Sequence, residues 1–160
     1  MLKGIQHTGF VTNDIKKTYD FYTGLPGVKI ISDIETHEGD LIDKLNNYKN
    51  AKVKMFVIQI GGDEISKQNE FCTGRVEFIE WIEPRGKKLL LENNAGGNAH
   101  IALVTDSIED DYKSLTLKGV EFSCEPLEVD FGEDLKGVKV TYFKDPDGRP
   151  VELMQFPATV

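Results

Sequence analysis

Two histidines and two glutamates carry the chemistry that this sequence offers, because they recur in corresponding places. Ile5-Gln6-His7-Thr8-Gly9-Phe10-Val11-Thr12-Asn13-Asp14-Ile15 resembles Asn98-Ala99-His100-Ile101-Ala102-Leu103-Val104-Thr105-Asp106-Ser107-Ile108. The shared offset of 93 residues takes His7 to His100, Ile15 to Ile108 and Tyr19 to Tyr112. Further along, Glu80-Trp81-Ile82-Glu83-Pro84 resembles Glu152-Leu153-Met154-Gln155-Phe156-Pro157, a match that pairs Glu80 with Glu152. Taken singly, either histidine reads as a hydrogen-bonded structural residue. The matched recurrence of both residue types makes a shared site the better reading. Two imidazole nitrogens and two carboxylates suit one divalent metal ion (Ni, Co, Zn, Mn or Fe) and leave positions open for water or substrate. The predicted ligands are therefore His7, Glu80, His100 and Glu152. Glu77 and Glu83 rival Glu80, since a register slip changes which carboxylate enters the site. His37 has no counterpart and reads as an exposed loop residue.

Each copy must then supply a first strand for the histidine and a last strand for the glutamate. In the first copy, Asn13 or Asp14 can cap a helix whose apolar stripe is Ile15, Tyr19 and Tyr22, ending at Gly24 or Gly27. In the second, Asp106 followed by Glu109 is a capping signal, Ile108, Tyr112 and Leu115 form the stripe, and Gly119 ends the helix. Short β-type runs follow at 28–31, 53–60 and 75–82, then at 120–123, 138–143 and 151–156. Asp145-Pro146-Asp147-Gly148 specifies a tight turn between the last two. The extra residues of the first copy fall at 32–52 and 63–74, read as polar loops with a short helix at 41–45. Gly61-Gly62-Asp63 begins the longer connection.

The expected fold is thus α+β: two βαβββ modules with pseudo-twofold symmetry, forming a cupped eight-stranded mixed sheet. It spans residues 1–160 as one domain, with module 1 at about 1–84, a linker at about 85–97 and module 2 at about 98–157. His100 shares its strand face with Ala102 and Val104, small residues that leave room, while Ile101 and Leu103 face a covering helix. Phe10, Phe21, Tyr22, Phe56 and Trp81 read as packing residues, with Trp81 opposite to Glu80.

At 160 residues and 39% hydrophobic content the chain can bury a pocket, and its formal charge of −8 disfavours a nucleic-acid partner. No run approaches the roughly 18 apolar residues of a membrane span. Nothing at the start reads as a signal peptide, and two distant cysteines, Cys72 and Cys124, lack CxxC spacing and read as inert. The expectation is a cytoplasmic protein acting on a small-molecule substrate, with no nucleic-acid or membrane partner.

The repeat, the four residues and the Phe143-Lys144-Asp145-Pro146-Asp147-Gly148 run before Glu152-Leu153 together resemble the vicinal oxygen chelate superfamily over nearly the whole chain. That group includes glyoxalase I, methylmalonyl-CoA epimerase, extradiol dioxygenases and fosfomycin- or bleomycin-resistance proteins. The His/Glu/His/Glu set is most similar to bacterial glyoxalase I, and the resemblance implies a homodimer. Asn46 to Asn50 stand where epimerases place a second catalytic carboxylate, and Arg75, Arg85 and Arg149 are too dispersed for a glutathione clamp. The implied activity is that of a metal-dependent isomerase, epimerase or lyase. Its substrate chelates through vicinal oxygens, and Glu152 or Glu80 shuttles a proton through an enediolate. An Fe(II) extradiol-type dioxygenase and a non-catalytic drug-binding protein are the alternatives; four protein ligands argue against both.

Overall fold

The structure is a computed structural model that describes residues 5–61, 74–89, 94–129 and 136–157. It divides into two compact units, Met1–Leu89 and Leu90–Val160.

In the first unit, strand β1 (Thr8–Val11) runs into helix α1 (Ile15–Thr23), then β2 (Val28–Glu38), helix α2 (Asp40–Asn46), β3 (Lys52–Ile60) and β4 (Arg75–Glu83). The strands lie in the order β1-β4-β3-β2, with β1 parallel to β4 and the other pairs antiparallel. Asp14 caps α1, its carboxylate accepting from Lys17 N at 3.1 Å. The helix ends at Gly24, whose N–H reaches the carbonyls of Phe21 and Tyr22. Ile15, Thr18 and Tyr22 are buried beneath it, and Tyr19 meets Phe56 edge-on at 5.1 Å.

The core of this unit is aromatic. Phe78 is fully buried, 4.4 Å between ring centroids from Tyr22 and 5.0 Å from Phe56, with Phe10 at 6.1 Å. Each such ring contributes about 1.5–3 kcal/mol by leaving water. Trp81 lies outside this core and packs edge-on against Tyr48 at 5.3 Å.

The second unit repeats the plan with β5 (Ile101–Val104), α3 (Ile108–Leu117), β6 (Leu127–Val129), β7 (Val138–Lys144) and β8 (Pro150–Gln155). Its order is β5-β8-β7-β6, again with a parallel outer pair. Among the described residues eight strands are thus shared four and four between two mixed sheets, and the α+β plan of two matching modules stands. Ile108, Leu115, Val138, Phe143, Val151 and Leu153 form the buried core of the unit. The β7–β8 turn closes as its residues require. Gly148 takes a positive φ of 85° and donates to Asp145 O, while the Asp145 carboxylate accepts from the amides of Asp147 and Arg149. Arg149 and Asp145 also form a buried ion pair at 2.6 Å.

Four local expectations change. The polar segment after residue 31 is not a loop. β2 continues to Glu38 with two register shifts, because its residues 35–38 pair one for one with β3 from Met55 to Lys52. His37 therefore lies in a strand opposite Val53, 3.6 Å from Glu35. Secondly, α2 extends over Asp40–Asn46, and Asp43 then fastens the chain by accepting from the amides of Asn50 and Ala51. Thirdly, residues 120–123 supply one bridge, Phe122 to Phe143, rather than a strand. The Thr141 hydroxyl takes the Cys124 carbonyl at 2.6 Å, the chain bends, and pairing resumes at Leu127. Lastly, Ser107 and not Asp106 is the N-cap residue of α3. Glu109 is bound to Lys139 instead of closing a capping box. Gly62, Asp63 and Cys72 lie outside the described residues, whereas Cys124 is a free, exposed thiol.

Candidate metal-binding site

The two faces of each sheet do different work. In β4, Val76 and Phe78 are buried on the side where Tyr22 of α1 packs, so strand alternation puts Glu80 on that side and Glu77 on the other. In β8, Val151 and Leu153 are buried in the core, which puts Gln155 with them and Glu152 opposite.

The parallel pairs then fix the correspondence between the halves. Gly9 is the register partner of Glu77, and Ala102 is that of Glu152. Two residues before each small partner stands a histidine. His7 Nε2 lies 3.5 Å from Glu77 Oε2, and His100 Nε2 lies 3.3 Å from Glu152 Oε2. Glu77, not Glu80, is therefore the structural equivalent of Glu152. The predicted pairing of Glu80 with His7 is corrected.

Glu80 has another task. Its Oε2 accepts from the backbone N–H of Ile15 at 3.2 Å, satisfying a donor in the first turn of α1, and Oε1 lies 3.7 Å from Arg85. Gln155 does the same in the second unit, its Oε1 accepting from Ile108 N at 2.8 Å. An amide fills this position as well as a carboxylate, since either side chain offers an oxygen that accepts from a helix-start N–H.

Each imidazole–carboxylate pair fits a metal. Bonds of about 2.0–2.2 Å at angles between octahedral and tetrahedral put neighbouring nitrogen and oxygen ligands roughly 3–3.5 Å apart. Both pairs fall in that range. The histidine side chains are 42% and 52% exposed, so incoming ligands can reach them. Gln6 Oε1 is hydrogen-bonded to His7 Nδ1; as an acceptor it holds the proton there and leaves the Nε2 lone pair toward Glu77. Within each unit the group stops at two. Among the described residues no cluster of three or more His, Cys, Asp or Glu side chains is present.

One neighbour was not foreseen from the sequence. Tyr142 on β7 is the register partner of Glu152, and its ring meets His100 edge-on at 6.0 Å. Burial, reinforced by the neighbouring Glu152 carboxylate, pushes the Tyr142 phenol up to about 12, so the hydroxyl stays protonated at neutral pH. Its cross-strand position opposite Glu152 was the available signal. A hollow formed by Asp40, Asp43, Lys44, Asn47, Tyr48 and Lys49 on and beyond α2 includes none of these residues.

A family model for the Glyoxalase/Bleomycin resistance protein/Dioxygenase superfamily matches residues 4–153. The chain belongs to that superfamily. Among proteins similar in sequence to this superfamily member is the uncharacterized protein YwkD of Bacillus subtilis (strain 168), 26% identical over 97% of this chain and 98% of its own. A glyoxalase family protein from Bacillus cereus shares the fold with a TM-score of 0.76 at 14% identity, over 97% of this chain and 95% of that one. A glyoxalase I variant from Zea mays matches with a TM-score of 0.63 at 19% identity, over 96% of this chain and 45% of that one. The superfamily's doubled plan agrees with the two matching units described above.

Proposed function

We propose that the protein is a divalent-metal-dependent isomerase, epimerase or lyase, with His7, Glu77, His100 and Glu152 as its metal ligands. The observation that carries this reading is the recurrence of a histidine and a carboxylate at equivalent register positions of both sheets. Superfamily membership and the structural likeness to glyoxalase I support it. The bound ion (Ni, Co, Zn, Mn or Fe) would supply Lewis acidity to a substrate carrying oxygens on adjacent carbons. Both histidines would bind it through Nε2, the nitrogen that faces the carboxylate in each half. A carboxylate, Glu77 or Glu152, takes a proton from the carbon beside the polarised group and returns it at the neighbouring carbon or the opposite face. Gly9 and Ala102, beside the two carboxylates, leave the space in which such a substrate sits.

The substrate is a small molecule, and the assembly is a homodimer in which the halves pair within or between chains. Among the described residues no helix is long and apolar enough to cross a membrane. Cytoplasmic location is part of the proposal, on the strength of the cysteine usage and the absence of a disulfide-type pattern.

The test is metal analysis followed by exchange. Protein loaded anaerobically with each of the five metals should bind about one ion per pair of units. It should also incorporate solvent deuterium at the substrate carbon across a panel of 2-oxo and 2-hydroxy carbonyl compounds. Oxygen uptake with catechols by the Fe(II) form, without exchange in any panel member, would overturn the proton-transfer reading in favour of oxygenation.

A further inference from the structure

At one end of the first sheet, Lys29, Gln59 and Arg75 form a polar row as register partners across β2, β3 and β4. Strand alternation puts Arg75 on the same side as Glu77, and Gln59, two residues from Val57, shares that side. Gln59 is only 2% exposed. Its Nε2 donates to the Gly61 carbonyl at 3.2 Å, which fixes the other end of the amide as the oxygen. That oxygen, Oε1, and Nε of Arg75 on the adjacent strand are both buried, and neither has a hydrogen-bond partner among the described residues. One is an acceptor and the other a charged donor. Leaving either unmatched is costly, and a single group that accepts at one point and donates at the next satisfies both.

We propose that Gln59 and Arg75 form a recognition site for a carboxylate bearing a hydroxyl on the adjacent carbon: the carboxylate accepts from Arg75 Nε–H, and the hydroxyl donates to Gln59 Oε1. The guanidinium supplies both the charge and a planar edge that sets the direction of approach. The site lies wholly within the first unit. Two residues of strand, about 7 Å, separate Arg75 from Glu77, so an acid group held here anchors the end of a substrate whose reacting carbons lie at Glu77. The inference rests on the proposed function for that last step, and names an acidic substrate class for it. Recognition of the acid itself requires no metal.

The probes are glycolate, the smallest such acid, and acetate, which lacks the hydroxyl, each titrated by calorimetry into protein stripped of metal with a chelator. Glycolate should bind saturably, and acetate about tenfold more weakly, because it leaves Gln59 Oε1 unpaired. Glycolate should also shift the Gln59 side-chain amide signals, assigned by their loss in Gln59→Met. Arg75→Lys keeps the charge without the Nε donor, and it and Gln59→Met should each weaken glycolate about tenfold. Absence of saturable glycolate binding by the unsubstituted protein, equal affinities for glycolate and acetate, or unaltered glycolate affinity in Arg75→Lys would overturn the site. Glycolate binding with this pattern by a protein that takes up no divalent ion would uphold the site and remove the metal reading instead.

Discussion

At the scale of single residues, three positions along one strand separate the proposed ligand Glu77 from the helix-end acceptor Glu80. Glu77→Gln is expected to lower metal affinity at least tenfold, as measured by calorimetry, because it replaces a charged carboxylate with a neutral, more weakly binding amide. Glu80→Gln should leave that affinity within about twofold, because Gln155 already shows an amide performing the same task. Glu80→Ala should instead cost about 0.5–2 kcal/mol of stability, the usual effect of losing a side-chain acceptor at a helix start, in a urea titration. The histidines were legible from the sequence because their flanking segments repeat without a gap. The first carboxylate is harder to place, because setting Glu80-Trp81-Ile82 beside Glu152-Leu153-Met154 ignores which side of each strand is buried. The better match was present all along: Val76-Glu77-Phe78-Ile79-Glu80 beside Val151-Glu152-Leu153-Met154-Gln155, with large core residues setting the parity. Tyr142 was legible only through strand pairing, since a tyrosine in a β run carries no mark of what lies opposite.

At the scale of elements, the apolar stripes identified both long helices, and Asp145 to Gly148 identified the last hairpin. Periodicity failed where polar residues make a strand, as in the outer half of β2, whose hydrogen bonds come from β3 and not from its own burial pattern. It failed again at 120–123, where a hydroxyl on the neighbouring strand diverts the backbone. Two substitutions test the packing. Phe78→Ala should destabilise the protein by about 3–5 kcal/mol, since the ring is shared by Tyr22, Phe56 and Phe10 and the cavity cannot collapse. Arg149→Ala should cost about 3–5 kcal/mol by leaving the Asp145 carboxylate buried without its cation. Denaturant midpoints measure both. Gly74 is also constrained, because at φ 91° a Cβ would stand 2.4 Å from the Ile60 carbonyl oxygen, so Gly74→Ala should lower the midpoint as well.

At the scale of the whole molecule, the proposed metal draws on ligands from both halves of the sequence and should therefore tie their stabilities together. A metal at a hundred times its dissociation constant stabilises the folded state by about 2.7 kcal/mol. A melting experiment with and without Co(II) should show that gain in the unsubstituted protein, and chelator should remove it. His7→Ala and His100→Ala should each reduce most of the gain, although they lie in different units. If only one of them did so, the set would not be shared. The doubled plan was readable from the repeat because a duplicated segment keeps its chemistry-bearing residues even where its loops diverge.

The strands that carry Glu77 and Glu152 on one side hold the starts of α1 and α3 on the other, through Glu80 and Gln155. Two backbone amides, those of Ile15 and Ile108, are consequently wired to the ligand strands without touching the ligands. They amount to a built-in pair of gauges, one per half. In a nitrogen-15 spectrum, metal loading should slow the solvent exchange of both amide signals, and a change confined to one would report which half had tightened.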